Sequence, residues 1–107
     1  MTVRRVVPRR KAERDIDDAI NYDYGEGGAD LALTFIDALE SAFRHLAAHA
    51  ESGSPRYAIE LDLPGLRYWA LEQFPYLIFY VETDNAVDVW RALHGKRDVP
   101  STMQLEQ

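Results

Sequence analysis

The chain changes its hydrophobic periodicity near its middle. Up to about residue 50, apolar residues recur every three or four positions, as on one face of a helix. From residue 66 onward, apolar and aromatic residues form short runs, which are separated by Pro75 and by the turn-forming sequence TDN at 83–85. The pattern therefore predicts an α+β domain in which helices precede most of the strands.

A short apolar strand ending at Pro8 comes before two predicted amphipathic helices. The first helix is predicted over residues 9–24 and the second over 29–50, because each carries one apolar stripe at helical spacing. Between them, GEGG at 25–28 places three glycines in four positions, which is costly inside a helix. We therefore expect a helical hairpin. A phosphate-binding loop is disfavoured, because no strand precedes the glycines and no Lys-Ser/Thr pair follows them.

Three strands are predicted after the hairpin: LRYWALEQF from Leu66, YLIFYVE from Tyr76 and AVDVWRALH from Ala86. Their β-branched and aromatic residues favour an antiparallel meander. The predicted order is β-α-α-β-β-β, with the helical hairpin on one face of a small, mainly antiparallel sheet. Residues 1–98 are expected to form one domain, since a chain of 107 residues can bury a single core. Residues 99–107 are expected to be a loose C-terminal tail.

Neither face of the predicted sheet is clearly polar. Side chains alternate across a strand, so Tyr76, Ile78 and Tyr80 should share one face, together with Trp90 of the last strand. The helical hairpin can cover only one face, and an uncovered antiparallel face should be more polar than this. A partner protein anchored on these four side chains is one candidate cover. The alternative is that the loop 52–64 of the chain itself folds over this face.

Charge is unevenly distributed along the chain. The formal net charge is −6, which disfavours a protein whose whole surface binds nucleic acid. Basic residues nevertheless crowd the first 14 positions, and Arg91, Lys96 and Arg97 form a second basic group. Local basic patches on an acidic body suit a protein partner at least as well as nucleic acid. No apolar run is long enough for a membrane span or a secretory signal, so a cytoplasmic protein is expected.

Histidines provide the few candidates for chemistry, since the chain has no cysteine for a thiolate site. His45 and His49 have a spacing that can bind zinc, but no HExxH motif surrounds them, and we expect neither a metal nor a cofactor. His94, near Arg97, could act as a general acid or base. A ribonuclease needs only a base, an acid and cations, so this class stays open at this point.

The helical hairpin followed by GLRYWALEQFPYLIFYVETDNAVDVWRALHGKRD resembles the RelE/ParE superfamily of bacterial toxin–antitoxin toxins. The similarity is greatest to the ParE branch, often described as plasmid stabilisation proteins, and it covers about residues 3–98. The last strand and the residues after it are the most specific part. The matching residues are Ala12, Asp15, Ile16, Tyr22, Gly65, Leu66, Arg67, Tyr80, Arg91, His94, Gly95, Lys96, Arg97 and Asp98.

This resemblance implies a toxin that inhibits DNA gyrase by binding and is not itself an enzyme. It also implies a ParD-like antitoxin, bound in a hetero-oligomer to the aromatic face and the helical grooves, and no sequence-specific nucleic-acid binding. Contacts with the target are expected from Arg67, Arg91, His94, Lys96 and Arg97. For Arg91, Lys96 and Arg97, the alternative role is an ion pair with Asp88 or Asp98.

The RelE branch implies a different activity, ribosome-dependent mRNA cleavage, with His94 as the base and Arg97 as the strand-end arginine. The positions where that nuclease carries further cations hold Tyr68, Ala70 and Leu77, and no tyrosine follows the last strand. Losing one contact to a developing charge costs roughly 3 kcal/mol of transition-state stabilisation. The nuclease is therefore the second alternative, and a degenerate, non-toxic member is the third.

Overall fold

The computed structural model of the chain describes residues 3–96 and 99–104. Among these residues, no helix is both long and apolar enough to cross a membrane. The element order confirms the predicted α+β fold. The elements are β1 (Arg5–Pro8), α1 (Arg10–Ala48), a 3-10 helix (Ala50–Ser52), α2 (Arg56–Glu60), β2 (Leu66–Ala70), β3 (Tyr76–Glu82), β4 (Ala86–His94) and α3 (Val99–Gln104).

α1 reverses direction at Gly28, where φ is 74° and ψ is −162°, a combination nearly restricted to glycine. A straight helix of 39 residues would be about 58 Å long, whereas the longest extent of the molecule is 38 Å. We call the two parts arm 1 (10–27) and arm 2 (29–48), and buried residues of both belong to one core cluster. The predicted hairpin is confirmed, although the helix continues through Gly25 and Gly27.

The four strands form one sheet in the order β1-β4-β3-β2. β2, β3 and β4 are antiparallel neighbours, as predicted, and β1 pairs parallel with β4. β2 ends at Ala70, earlier than the predicted Phe74. The chain turns between these strands through Gln73, whose φ of 67° is incompatible with continued extension.

A β-bulge in β4 changes which face each of its side chains meets. Tyr80 pairs with Val89 and Phe79 pairs with Arg91, so Trp90 is the extra residue between two consecutive partners. An extra residue in one strand interrupts the alternation of side chains across the sheet. The simple alternation assumed for the last predicted strand is therefore wrong beyond Trp90.

The predicted exposed face made of Tyr76, Ile78, Tyr80 and Trp90 does not exist. Ile78 and Tyr80 are 0% exposed and belong to the cluster formed with the helical hairpin. Tyr76 packs against the same cluster, whereas Trp90 packs against the cluster on the opposite face. The prediction failed because the hairpin covers the face that was expected to be open, and because Tyr80 pairs with Val89, which leaves Trp90 on the opposite face.

The chain itself covers the second face of the sheet. Leu61, from the segment after α2, and Val99 and Met103, from α3, pack with Phe79 in a second buried cluster. The loop 52–64 therefore covers the face that the hairpin leaves open, but this is the face of Phe79 and Trp90 and not that of Tyr76, Ile78 and Tyr80, for which the alternative was stated. The face of Phe79 and Trp90 does not need a partner to shield it. The predicted loose tail is wrong for α3, because Met103 is 0% exposed in this cluster.

Tyr80 ties the end of the hairpin to the sheet. Its hydroxyl donates a hydrogen bond to the Ala50 carbonyl oxygen at 2.6 Å and accepts one from the Gly53 N–H at 3.0 Å. Burial raises the pKa of Tyr80, so the phenol keeps the proton that it donates. A Cβ atom on residue 53 would lie 2.3 Å from the Tyr80 hydroxyl oxygen, so only glycine fits this position without rearrangement.

We expect Gly53→Ala to destabilise the protein by about 1–3 kcal/mol, because the added methyl group must displace the Tyr80 hydroxyl from both hydrogen bonds. Urea denaturation followed by circular dichroism measures this change. Gly25→Ala is the matched control. Apart from the neighbouring residues and the helix's own backbone, no atom lies within 4 Å of a Cβ built there. Alanine should stabilise a helix interior by up to about 1 kcal/mol. Equal unfolding midpoints for G53A and wild type would contradict this account of the Tyr80 contact.

Asp23 places a carboxyl group on the buried stripe of arm 1. It is 6% exposed, and its Oδ2 atom has no hydrogen-bond partner among the described residues. Burial, followed by the nearby charge of Glu26, raises the pKa of Asp23. The folded protein therefore holds this proton more tightly than the unfolded chain does.

Because the folded state binds the extra proton, stability should fall as pH rises through the carboxyl pKa of the unfolded chain, about 3.9, until the higher folded pKa is passed. Asp23→Asn should thus stabilise the protein near pH 7 and change it much less near pH 4. Urea midpoints at the two pH values test this. Asp17→Asn, an exposed carboxyl on the same arm, should have little effect at either pH. The same gain for D23N at both pH values would rule out ionisation as its cause.

Candidate functional site

Arg91 and Asp15 fasten β4 to arm 1. The Arg91 Nε and Nη2 atoms donate to the two Asp15 carboxylate oxygens at 2.7 and 2.9 Å, and the side chains are only 13% and 12% exposed. Such a two-point contact fixes the relative position of both groups. The prediction of Arg91 as an available target contact is therefore not supported. Asp98, one of the two carboxylates predicted as an alternative ion-pair partner of Arg91, lies outside the described residues.

The same carboxylate completes the hydrogen bonding of the β4 edge. β1 stops at Pro8, opposite Val89, whereas β4 continues to His94. Beyond that point the Ala92 N–H donates to Asp15 Oδ2 at 3.0 Å instead of to a strand. A buried backbone N–H without an acceptor is costly, so Asp15 replaces the missing strand.

Cations of the first basic group also form contacts within the molecule. Arg9 donates twice to Asp88, at 3.1 and 2.9 Å, and its guanidinium lies 4.4 Å from the centroid of the Trp90 ring. Arg4 contacts Glu82 at 2.8 Å. Among the described residues, Asp88 pairs with Arg9 and not with Arg91 or Lys96, so the predicted alternative is wrong for these two cations.

The remaining predicted target contacts lie in different environments. Arg67 donates from Nη1 to the Gly53 carbonyl oxygen at 2.8 Å and is half-buried. Lys96 is exposed, and its backbone N–H donates to His94 Nδ1 at 3.1 Å. Arg97 lies outside the described residues. Lys96 is thus the cation of this set with an exposed position in the described part of the chain.

A cleft of about 180 Å³ opens between arm 1 and the ends of β3 and β4. Arm 1 contributes Asp15, Asp18 and Tyr22 to its lining, and the strands contribute Tyr76 and His94. The rings of Tyr76 and His94 meet edge to face, with centroids 5.4 Å apart. We call this concavity the acidic cleft.

The negative charge of the acidic cleft comes mainly from Asp18. The charge of Asp15 is balanced by its contact with Arg91, but Asp18 is exposed and forms no ion pair with another described residue. A hydrogen bond with Glu26, together with the Glu26 charge, raises the pKa of Tyr22. None of the described lining residues is lysine or arginine.

His45, in arm 2, and His49, which follows the end of α1, do not line the acidic cleft. His45 stacks on Trp69 with ring centroids 4.3 Å apart, and its Nε2 atom is 2.9 Å from the Ser52 hydroxyl oxygen. The His49 ring centroid is 5.3 Å from that of His45. Residues 3–96 and 99–104 contain no group of three or more His, Cys, Asp or Glu placed to hold a metal ion. The stack on Trp69 fixes one His45 face against the sheet.

A family model described as the ParE toxin of the type II toxin–antitoxin system, parDE, matches residues 6–99 of this chain. The chain belongs to the ParE toxin family. The resemblance to the ParE branch inferred from the sequence is thereby confirmed.

One solved structure that shares the ParE-type fold is titled as the chromosomal ParDE TA system from P. aeruginosa. The TM-score is 0.70 and the sequence identity is 20%, and the alignment covers 86% of this chain and 96% of that one. At this identity the likeness supports the fold alone. No curated protein matches the chain.

In this ParE family member, the acidic cleft joins His94, which was predicted as a site residue, to Asp18, which was not. Asp15 and Tyr22 had been noted only through the family resemblance. Positions 15, 18 and 22 are three and four residues apart, so they share one side of a helix, and this spacing could have identified the group. Arg67 does not line this cleft.

Asp15→Asn should destabilise the protein by about 2–3 kcal/mol, because it leaves a largely buried guanidinium without its counter-charge. Urea denaturation measures this effect. Asp88→Asn is the matched control, since its pair with Arg9 is more exposed, at 29% and 41%, and should contribute less than about 1 kcal/mol. If both substitutions cost the same, burial would not explain the importance of the Asp15 pair.

Proposed function

We propose that this ParE family member is a toxin that inhibits DNA gyrase by binding it and that a ParD-like antitoxin neutralises it. The family match over residues 6–99 is the observation that carries this proposal. Gyrase as the target, the antitoxin as the partner and the cytoplasm as the location follow from the family resemblance. The toxin needs no cofactor and no catalytic group for this mechanism.

The surroundings of His94 support binding rather than phosphodiester cleavage. Asp15 and Asp18 line the same cleft as His94, and none of the described lining residues is a cation. Cleavage requires groups that stabilise the charge developing on the phosphate, whereas the carboxylate of Asp18, which has no ion-pair partner among the described residues, would repel a phosphate. The mRNA endonuclease therefore has less support, and its proposed Arg97 lies outside the described residues.

Some predicted contacts are more accessible than others for the two proposed partners. Tyr76 and Trp90 are half-buried and are retained as proposed antitoxin contacts. Ile78 and Tyr80 are fully buried, so an antitoxin could reach them only if the hairpin moved. For gyrase, the exposed Lys96 is the strongest candidate among the described cations.

Purified protein added to DNA gyrase, ATP and relaxed plasmid should abolish supercoiling and cause cleaved DNA to accumulate. Agarose gels of the plasmid show both effects. Adding the protein encoded by the neighbouring antitoxin gene should restore supercoiling. Unchanged gyrase activity, combined with messenger cleavage in a translation extract, would favour the nuclease. Absence of both activities would favour a degenerate, non-toxic member.

Two single substitutions separate binding from catalysis in the same assays. His94→Ala should leave growth arrest intact, because no proton transfer by this side chain is needed. Lys96→Glu should weaken gyrase inhibition, because it reverses an exposed charge proposed to meet the target. Circular dichroism controls for folding of both variants. Since His94 is also a proposed target contact, binding of gyrase is measured alongside: a folded H94A protein that binds gyrase like wild type but no longer arrests growth would argue against a purely binding toxin.

A further inference from the structure

The acidic cleft combines negative charge with aromatic surface, and both attract a cation. Asp18 brings a carboxylate without an ion-pair partner among the described residues. Tyr22 comes from arm 1 and Tyr76 from β3, so two of the three elements that form the cleft contribute a tyrosine ring. Tyr22 is 62% exposed, which leaves its ring accessible to a ligand.

The size of the cleft limits what can occupy it. Its volume is about 180 Å³, which is below the roughly 300–1,000 Å³ typical of sites for drug-sized ligands. A single long side chain fits this volume better than a helix or a cofactor. A guanidinium suits the lining better than an ammonium, because it is weakly hydrated, stacks on aromatic rings and can donate to a carboxylate at two points.

Several walls of the cleft are held in place without a ligand. Asp15 is fixed by its contacts with Arg91 and the Ala92 N–H. The Tyr76 ring meets Phe35 edge to face, with centroids 5.5 Å apart, in addition to its contact with His94. A preformed pocket loses little conformational entropy when it is filled, which favours binding of a small group.

We propose that the acidic cleft receives an arginine side chain from the antitoxin. The net charge of −6 favours a basic segment as the partner of this chain. Of the two proposed partners, the antitoxin must form the lasting complex, and a side chain that fills a preformed pocket is the kind of anchor that slows dissociation. This inference rests on the proposed function, since that function supplies the antitoxin.

The first test uses the full chain and N-acetyl-L-argininamide as the probe, followed by two-dimensional ¹H–¹⁵N NMR. Saturable shifts should appear at the amides of Asp18, Tyr22 and Ala92. The neutral N-acetyl-L-glutaminamide should not produce them. Asp18→Asn should weaken argininamide binding about tenfold, the effect of losing one charge-assisted contact. Asp17→Asn should bind like wild type, because this exposed neighbour does not line the cleft.

Three results of this titration would overturn the cleft as a guanidinium site. They are no shifts at the cleft, equal shifts with the neutral probe, and equal weakening by D17N and D18N. The probe acts on the toxin alone. The titration therefore does not depend on whether the proposed antitoxin or gyrase interactions exist.

The second test identifies the source of the arginine. The complex of the toxin with the antitoxin from the neighbouring gene should dissociate about tenfold faster for D18N, and at the wild-type rate for D17N. Surface plasmon resonance measures both rates. A wild-type rate for D18N would overturn the antitoxin as the source, as would a D18N protein that loses only gyrase inhibition. If the wild-type toxin formed no complex with this antitoxin, both the antitoxin as the source of the arginine and the proposed neutralisation by it would be overturned.

Discussion

The contact of Asp15 with Arg91 and Ala92 is the constraint on which the geometry of the candidate site depends. β4 is longer than the parallel strand beside it, because β1 ends at Pro8. The remaining length of β4 needs an acceptor for its backbone and a counter-charge for its arginine. One carboxylate from arm 1 meets both needs, at 2.7 to 3.0 Å.

The acidic cleft is a consequence of this arrangement. Once Asp15 holds arm 1 against the end of β4, the next positions on the same side of the helix, Asp18 and Tyr22, face Tyr76 and His94. Arg91, which the sequence suggested as a surface cation, instead binds Asp15 in the wall of the cleft and is not available for a partner. The cleft is therefore acidic although it lies beside a segment rich in basic residues.

The sheet is apolar on both faces, and the chain itself supplies both covers. The helical hairpin lies on one face, and α2 with its following segment and α3 lie on the other. Apolar residues on both sides of a sheet are thus poor evidence for a second polypeptide when short segments at 52–64 and 99–104 are available. Support for the proposed antitoxin comes instead from family membership and from the acidic cleft.

The sequence by itself determined the order of the hairpin and the four strands, the reversal near 25–28, the antiparallel meander and the family, because periodicity, glycine cost and turn residues act over short stretches. It did not predict α2 or α3. Only the tertiary structure decided which side chains are accessible. The bulge at Trp90 exchanges faces beyond that point, and Asp15 meets Arg91 across 76 positions of chain. Neither leaves a local signal, because a bulge depends on strand register and an ion pair depends on which distant elements pack together.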